Sequence, residues 1–326
     1  MKKVRFAPSP TGSLHVGNAL SAVANRAFGD WMLLRIDDTD PARNVPGGEE
    51  ELLLDLEWLG IEWDEGPVRQ SERRERHLEA AAGLGERFDG ITLVREDGSP
   101  TYHLATVVDD VDFGITHVVR GNDHRPNEAL HRRLFEVLGA KPPEFVHHGL
   151  ILGQDGKKLS KRAEGATVAS LRETGIPAEA VRRYLEELGL PKHDVHYDLR
   201  RIRRLAIEAI GAMSDEELAD RVGAPPELVP ALRGARDLNE ARAYARAIVE
   251  PPAPVSVDSP ETLERFRELL DNGSDPRELV RELKAVSGDL RAVRLALTGA
   301  DRGPELWTEI AALPREEALK RIDAAL

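Results

Sequence analysis

Two stretches of this chain hold residue types suited to phosphate chemistry. The first, "FAPSPTGSLHVGNAL" (residues 6–20), sets two prolines, two glycines and a histidine directly ahead of an alanine-rich apolar run. A strand, a glycine loop and a helix N-terminus in that order form an anion site, because unpaired N–H groups and the positive end of the helix dipole point outward. Gly12 and Gly17 permit close backbone approach to a ligand. His15 and Asn18 stand at the mouth of the helix, where His15 can donate to a phosphate or lie against a base. A plain strand–helix connection with a solvated histidine would use the same residues. The second stretch, "GQDGKKLSKRAEG" (153–165), gathers Lys157, Lys158, Lys161 and Arg162, with Arg172 nearby, around a glycine turn. It lacks the Walker A spacing, and a solvated basic loop is the ordinary reading of such a run. What is specific is its conjunction with the first stretch, each following an apolar strand.

The elements that must position these groups alternate. "KVRFA" reads as a short buried strand and "VGNALSAVANRAF" as a helix. "WMLLRI" is a second strand, ending in "DDTD", and "GGEEELLLDLEWLG" is a helix with core leucines on one face and acids on the other. A helix opens at Ser71, and "ITLVREDGSPTYHLA" reads as two extended segments joined at Asp97-Gly98. "THVVRG", "PNEALHRRLFEVLG" and "FVHHGLIL" continue as strand, helix and strand. Alternation of this kind predicts a parallel sheet with helices on its faces. From "EGATVASLRETG" onward the strand signal stops and helices follow, one opened by a capping box at Ser214 and Glu217. The expected fold is therefore α/β: a Rossmann-like parallel-sheet domain over 1–165, then all-α modules over 166–250 and 251–326, with a proline-stiffened linker at 250–260.

Composition narrows the classes. With 326 residues and 41% hydrophobic content the chain can bury a sizeable core, and with no cysteine it can hold neither disulfide nor thiolate zinc site. No apolar run approaches the ~18 residues of a membrane span, and "MKKVRFAPSP" has no apolar segment of a signal peptide, so a cytoplasmic protein without a membrane partner is expected. The net charge of −13 argues against a surface that coats nucleic acid generally, while leaving room for local basic grooves. His147 and His148 have no third ligand at metal spacing, and Asp38 and Asp40 read as loop-ordering residues, so no protein metal site is expected. Asp109 and Asp110 read as helical and local.

The chain resembles the class I aminoacyl-tRNA synthetases, and within them the glutamyl-tRNA synthetases. The two class signatures are His15-Val16-Gly17-Asn18 and Lys158-Leu159-Ser160-Lys161-Arg162. "LRIDDTDPARNVPGGEE", "PTYHLATVVDD", "HVVRGNDH" and "LALTGADRGPEL" are similar to further blocks of the family, in its order. The resemblance implies ATP as a substrate, bound at Pro10, Gly12, His15, Gly17, Asn18, Lys158, Ser160 and Lys161. His15, Lys158 and Lys161 would stabilise the charge that develops in nucleotidyl transfer. Glutamate would sit at Arg5, Ala7, Ser9, Asp37, Tyr102, Thr106 and Arg120, the arginines pairing carboxylates. Mg²⁺ would arrive with ATP, no zinc is implied, tRNA would be the acceptor, and a monomer is the family expectation.

Departures from the family pattern qualify this. Asp37 stands where bacterial members usually have glutamate and Thr106 where many have asparagine, so glutamate is the first expectation and a related acid or glutamine stays open. Asn18 replaces the second histidine of the signature, a mild change because its amide still donates a hydrogen bond. The inserted acceptor-binding domain is reduced to a remnant near 84–98, with Phe88 and Ile91 nearly adjacent. Two other readings keep the same residues: a ligase that passes glutamate to an acceptor other than tRNA, and a non-catalytic binding paralogue.

Overall fold

The computed structural model describes residues 1–253 and 257–326; part of the expected linker, 254–256, lies outside the described residues. The chain divides into two units, Met1–Glu173 with Val181–Arg201, and Thr174–Ala180 with Ile202–Leu326.

In the first unit, β1 (Lys3–Phe6) leads through α1 (Val16–Phe28) to β2 (Trp31–Ile36), and α2 (Gly48–Trp58) leads on to β3 (Glu65–Arg69). The three strands pair in parallel in the order β1-β2-β3. Leu33, Leu34 and Ile36 of β2 are fully buried, as expected of a strand covered on both faces. Each such side chain contributes about 2 kcal/mol by leaving water. Close packing of α1 on the sheet is set by small residues. Ala19, Ala22 and Ala24 are buried, and a Cβ on Gly29 would meet Val4 Cγ2 at 2.4 Å.

The connection from β3 departs from the expected pattern in two places. Ser71 opens a short 3-10 turn rather than capping a helix, because its hydroxyl and amide both donate to Asp38, at 2.6 and 2.8 Å; α3 (Arg74–Ala82) follows. A two-residue hairpin comes next, β4 (Arg87–Phe88) and β5 (Ile91–Thr92), turned by Asp89 and Gly90 at φ 51° and 79°. Positive φ at both central residues is the turn geometry that Asp-Gly favours. Asp97-Gly98 does make a turn, bridging Val94 to Pro100, but the chain then enters helix α4 (Tyr102–Asp112) instead of a second extended segment. Leu104, Val107 and Val108 of α4 are buried in one cluster with Ala81, Leu130, Leu134 and Phe135, and this packing overrides the extended preference of the Thr-Val-Val run.

β6 (His117–Gly121) and β7 (Glu144–His148) pair in parallel across α5 (Glu128–Val137). The Thr116 amide donates to the Lys3 carbonyl at 3.0 Å, which lays β6 beside β1 on the side away from β2. The chain thus winds outward from β1 in one direction and resumes on its other side. A crevice at the carboxyl ends of β1 and β6 is the consequence of that reversal. "FVHHGLIL" breaks at Gly149, and β8 (Ile151–Leu152) pairs with a strand the sequence pattern hides, β9 (Val195–His196). A Cβ on Gly149 would lie 2.0 Å from the His193 carbonyl oxygen, so only glycine fits this crossing. Between these strands run α6 (Val168–Glu173) and α7 (Ala178–Leu188).

The second unit is helical. Ser214 caps its helix by accepting from the Glu217 amide at 3.1 Å, as the capping box predicts. One apolar core runs from Ile210 through Phe266 to Ile322, so the boundary read at about residue 250 falls within a shared core.

Candidate functional site

The crevice between β1 and β6 opens into a cavity of about 620 Å³, lined on one side by Arg5, Ala7 and Ser9, and on the other by Arg120 and Asp123. His15, Gly17 and Asn18 of the first signature line it, as do Lys158 and Lys161 of the second, together with Asp37 and Tyr102. Four expected residues stand off the lining. Gly12 turns the loop at φ +86°, Pro10 accepts from the Val45 amide at 3.1 Å, and Ser160 accepts from the Arg162 amide at 3.2 Å. Thr106 is buried behind Arg35, whose Nη2 reaches its hydroxyl at 3.4 Å.

The loop that carries His15 is pinned from two directions. Asp55 of α2 accepts from Ser13 Oγ at 2.7 Å and from the Leu14 amide at 2.8 Å, and Glu51 accepts from the Ser13 amide at 2.9 Å. Acids from the face opposite the leucines of α2 are therefore what holds the loop, while Leu54, expected in the core, is exposed. Arg172 belongs to this support rather than to the cationic loop, since it pairs with Asp55 at 3.0 Å. On the far side the Val16 amide donates to Ala166 and the Val168 amide to Leu14, both at 2.9 Å.

His15 then caps α1: its Nδ1 accepts from the Gly17 amide at 3.2 Å. An accepting Nδ1 requires the proton of the neutral ring to sit on Nε2, and Nε2 is buried without a protein partner. Burial, with the charges of Lys161 and Lys158, lowers its pKa to about 4 against the raising effect of the Leu159 carbonyl, so the ring that lines the cavity is neutral near pH 7. The lysines arrive on a loop folded back along β8 and anchored by buried Leu159, whose amide donates to Ile151 at 3.1 Å. Lys158 Nζ pairs with Asp123 at 2.7 Å, and Lys161 Nζ donates to the Thr11 carbonyl and hydroxyl at 3.1 Å each.

The opposite end of the cavity is built around two arginines. Arg5 donates through Nε to Asp110 at 3.2 Å, and Arg120 through Nε to His147 at 3.3 Å. Arg120 Nη1 lies 3.5 Å from His131 Nδ1 and Nη2 is buried beside Tyr102 without a well-formed hydrogen bond, and burial together with the charge of Arg5 lowers the pKa of Arg120 against the pull of Tyr102. Two neighbouring arginines with terminal nitrogens free to meet a ligand constitute a site for an anion. Asp37 is held bidentately by Arg35 at 2.7 and 3.3 Å, with its pKa raised because desolvation exceeds the pull of Arg35. Tyr102 meets His124 across 3.5 Å. His148 is joined to Ser21 Oγ at 2.9 Å and lines the cavity, while its strand neighbour His147 packs behind Arg120, against Phe145 and Glu128.

Sequence reasoning missed Arg35, Asp109 and Asp110. The aspartates are not local. Asp109 binds His77 at 2.7 Å, Gln70 at 2.8 Å and Arg73 at 2.8 Å, and although burial alone would raise it, the His77 bond and the Arg35 charge bring its pKa to about 2. The available signal was two adjacent carboxylates inside an otherwise apolar helix, which must find partners if buried. Among the described residues no group of three or more histidine, aspartate and glutamate side chains is placed to hold a metal, and no helix is long and apolar enough to cross a membrane.

The family described as tRNA synthetases class I (E and Q), catalytic domain, matches residues 2–87 and 83–203. The chain belongs to this family. The two matched segments of the synthetase meet at 83–87, immediately before and into the β4–β5 hairpin, where the sequence pattern placed the reduced insertion. A glutamate–tRNA ligase of Rubrobacter xylanophilus is 34% identical, over 99% of this chain and 97% of its own length. Its alignment runs over 429 positions against the 326 residues here, so that relative carries segments with no counterpart in this synthetase. The glutamate–tRNA ligase of Akkermansia muciniphila is 32% identical, over 98% of both chains. The crystal structure of a glutamate tRNA ligase from Elizabethkingia meningosepticum, in complex with its amino acid, superposes with a TM-score of 0.76 at 25% identity, over 99% of both chains.

Proposed function

We propose that this synthetase is a glutamate–tRNA ligase: it activates glutamate with ATP and transfers the glutamyl group to the 3′ end of tRNA. The observation that carries the reading is a cavity with an anion site at each end. One end has the neutral His15 N–H, the α1 N-terminus and two lysines; the other has Arg5 and Arg120 with donors unspent. A triphosphate fits the first and a carboxylate the second.

The reaction requires the α-carboxylate of glutamate to be free to attack, so the arginines take the side-chain carboxylate and Asp37 takes the ammonium group. An oxygen of the α-carboxylate attacks the α-phosphorus of ATP, the bond to the bridging oxygen breaks, and pyrophosphate leaves. His15 Nε2–H, Lys158 and Lys161 face the charge that builds on the phosphates, a stabilisation worth several kcal/mol when donors are preorganised. A ribose hydroxyl of the tRNA end then attacks the glutamyl carbonyl and AMP departs. The loop from Pro10 through Gly12 to Asn18 and the loop through Ser160 frame the ATP side, while Ala7, Ser9 and Tyr102 shape the amino-acid side, with Thr106 behind them against Arg35. Mg²⁺ comes with ATP on phosphate oxygens, since the cavity offers these phosphates cations and amides rather than a carboxylate cluster. The first unit performs this chemistry and the helices of the second contact tRNA; the enzyme works as a monomer in the cytoplasm, without zinc.

The test is ATP–pyrophosphate exchange by the purified protein with glutamate, aspartate or glutamine, each with and without unfractionated tRNA. Exchange with glutamate in preference to the other two is expected. Preference for aspartate or glutamine, or no exchange under any condition, would overturn the reading.

A further inference from the structure

Beneath the amino-acid end of the cavity four charged side chains form an unbroken run. Arg35, on β2, is completely buried. Its Nε holds Asp37 Oδ1 at 2.7 Å and its Nη2 holds Asp37 Oδ2 at 3.3 Å, while its Nη1 holds Asp110 Oδ1 at 2.7 Å. The second oxygen of Asp110 accepts from Arg5 Nε at 3.2 Å. The run Asp37–Arg35–Asp110–Arg5 therefore ties the group that faces an ammonium to the group that faces a carboxylate. Because Arg5 spends Nε on Asp110, its two terminal nitrogens form the fork that can meet a ligand. Asp109, the neighbour on the same helix, turns to His77, Gln70 and Arg73 and comes no nearer to Arg35 than 3.8 Å. Two adjacent carboxylates thus serve opposite sides of α4.

We propose that Asp110 is a positioning residue that sets the length of amino acid the enzyme accepts: by holding Arg5 and Arg35 together it fixes the separation between the Arg5 fork and Asp37. This rests on the functional reading above, in which the fork takes the side-chain carboxylate and Asp37 the ammonium. A dicarboxylic amino acid one methylene shorter then cannot satisfy both ends, and discrimination against aspartate resides in a residue that touches no substrate.

The experiment measures exchange kinetics, with unfractionated tRNA present, for the wild-type protein, Asp110→Asn, Asp110→Glu and Asp109→Asn. Loss of a charged hydrogen bond of this kind corresponds to roughly tenfold or more in binding, so Asp110→Asn raises KM for glutamate by at least that factor. Its kcat and its KM for ATP stay near wild type, and its preference for glutamate over aspartate narrows. Asp110→Glu keeps the buried charge but shifts the fork by a methylene, and it shows the same KM rise; it decides the matter if Asp110→Asn does not fold. Asp109→Asn lowers the melting temperature and leaves KM for glutamate unchanged. A wild-type KM in both Asp110 variants, equal rises for glutamate and ATP, or the same rise in Asp109→Asn would overturn the proposal. A wild-type protein with no glutamate-dependent exchange removes the functional reading and this inference with it.

Discussion

Replacing His15 by alanine removes two separate interactions, and the geometry assigns a magnitude to each. Nδ1 accepts from the Gly17 amide at 3.2 Å, and losing such a helix cap costs about 1 kcal/mol of stability. Nε2–H is buried without a hydrogen-bond partner on a ring that lines the cavity; losing one preorganised donor to a developing charge costs about 3–4 kcal/mol, or 10²–10³ in rate. His15→Ala should therefore lose both, whereas His15→Asn should recover only the first, because an asparagine oxygen caps well but its amide falls short of where Nε2 stands. Urea unfolding reports the cap and single-turnover formation of glutamyl-adenylate reports the donor. The expected pattern is near-wild-type stability in His15→Asn with a rate still reduced at least 100-fold. If His15→Asn restores both quantities together, or if the rate loss of His15→Ala only follows its instability, the assignment of a catalytic N–H is wrong.

Further outcomes follow from the same coordinates. The Lys158–Asp123 pair is solvent-accessible, so it is worth at most about 1 kcal/mol, and Asp123→Asn should lower KM for ATP by no more than about fivefold by freeing the lysine; a raised KM in initial-rate assays would contradict this. A Cβ on Gly48 would stand 2.6 Å from the Pro10 carbonyl oxygen and 2.9 Å from the Gly12 nitrogen, so Gly48→Ala should displace the loop, destabilise by roughly 1–3 kcal/mol and raise KM for ATP while KM for glutamate changes less. The two units should answer pH in opposite directions. His15 and His147 are lowered to about 4 and His131 to about 2, chiefly by burial, so the unfolded chain binds more protons below pH 6.5 and the first unit loses stability as pH falls from 7 to 5, by about 1 kcal/mol per pH unit for each histidine. Glu309, raised to about 7 by burial despite Arg294, binds its proton earlier in the folded second unit and stabilises it over the same range. Hydrogen exchange corrected for intrinsic rates should show protection falling in one unit and rising in the other; parallel changes would refute it.

What could be read from the sequence was whatever its local chemistry specified. The apolar runs of β1, β2 and β6 admit only buried strands, and the glycine loop before Val16 admits a ligand at a helix mouth. Their order was enough to expect a parallel sheet with helices on its faces, while the reversal of strand order beside β1 came only with the fold. Long-range pairing was not legible. Nothing local distinguishes Glu51 and Asp55, which hold the His15 loop, from the solvated acids of the same helix. Thr106 was placed on the substrate and instead lies against Arg35, a residue whose buried charge only the folded sheet explains. The start of α4, Tyr102–Ala105, was read as extended while Asp109 and Asp110 further along were read as helical; the helix runs through both by virtue of the partners it packs against. β9, two residues long, is called into the sheet solely by β8.

The central claim is that a synthetase with its insertion reduced to a two-residue hairpin still delivers glutamate to tRNA. Its most direct test is transfer of radiolabelled glutamate to unfractionated bacterial tRNA by the purified protein with ATP and Mg²⁺, followed by acid precipitation and mild base. Precipitable label is expected that depends on tRNA and ATP and that mild base releases, as an ester at the 3′ end requires. Glutamate-dependent pyrophosphate exchange with no label on RNA would contradict it, and would mean that the activated glutamate goes to another acceptor.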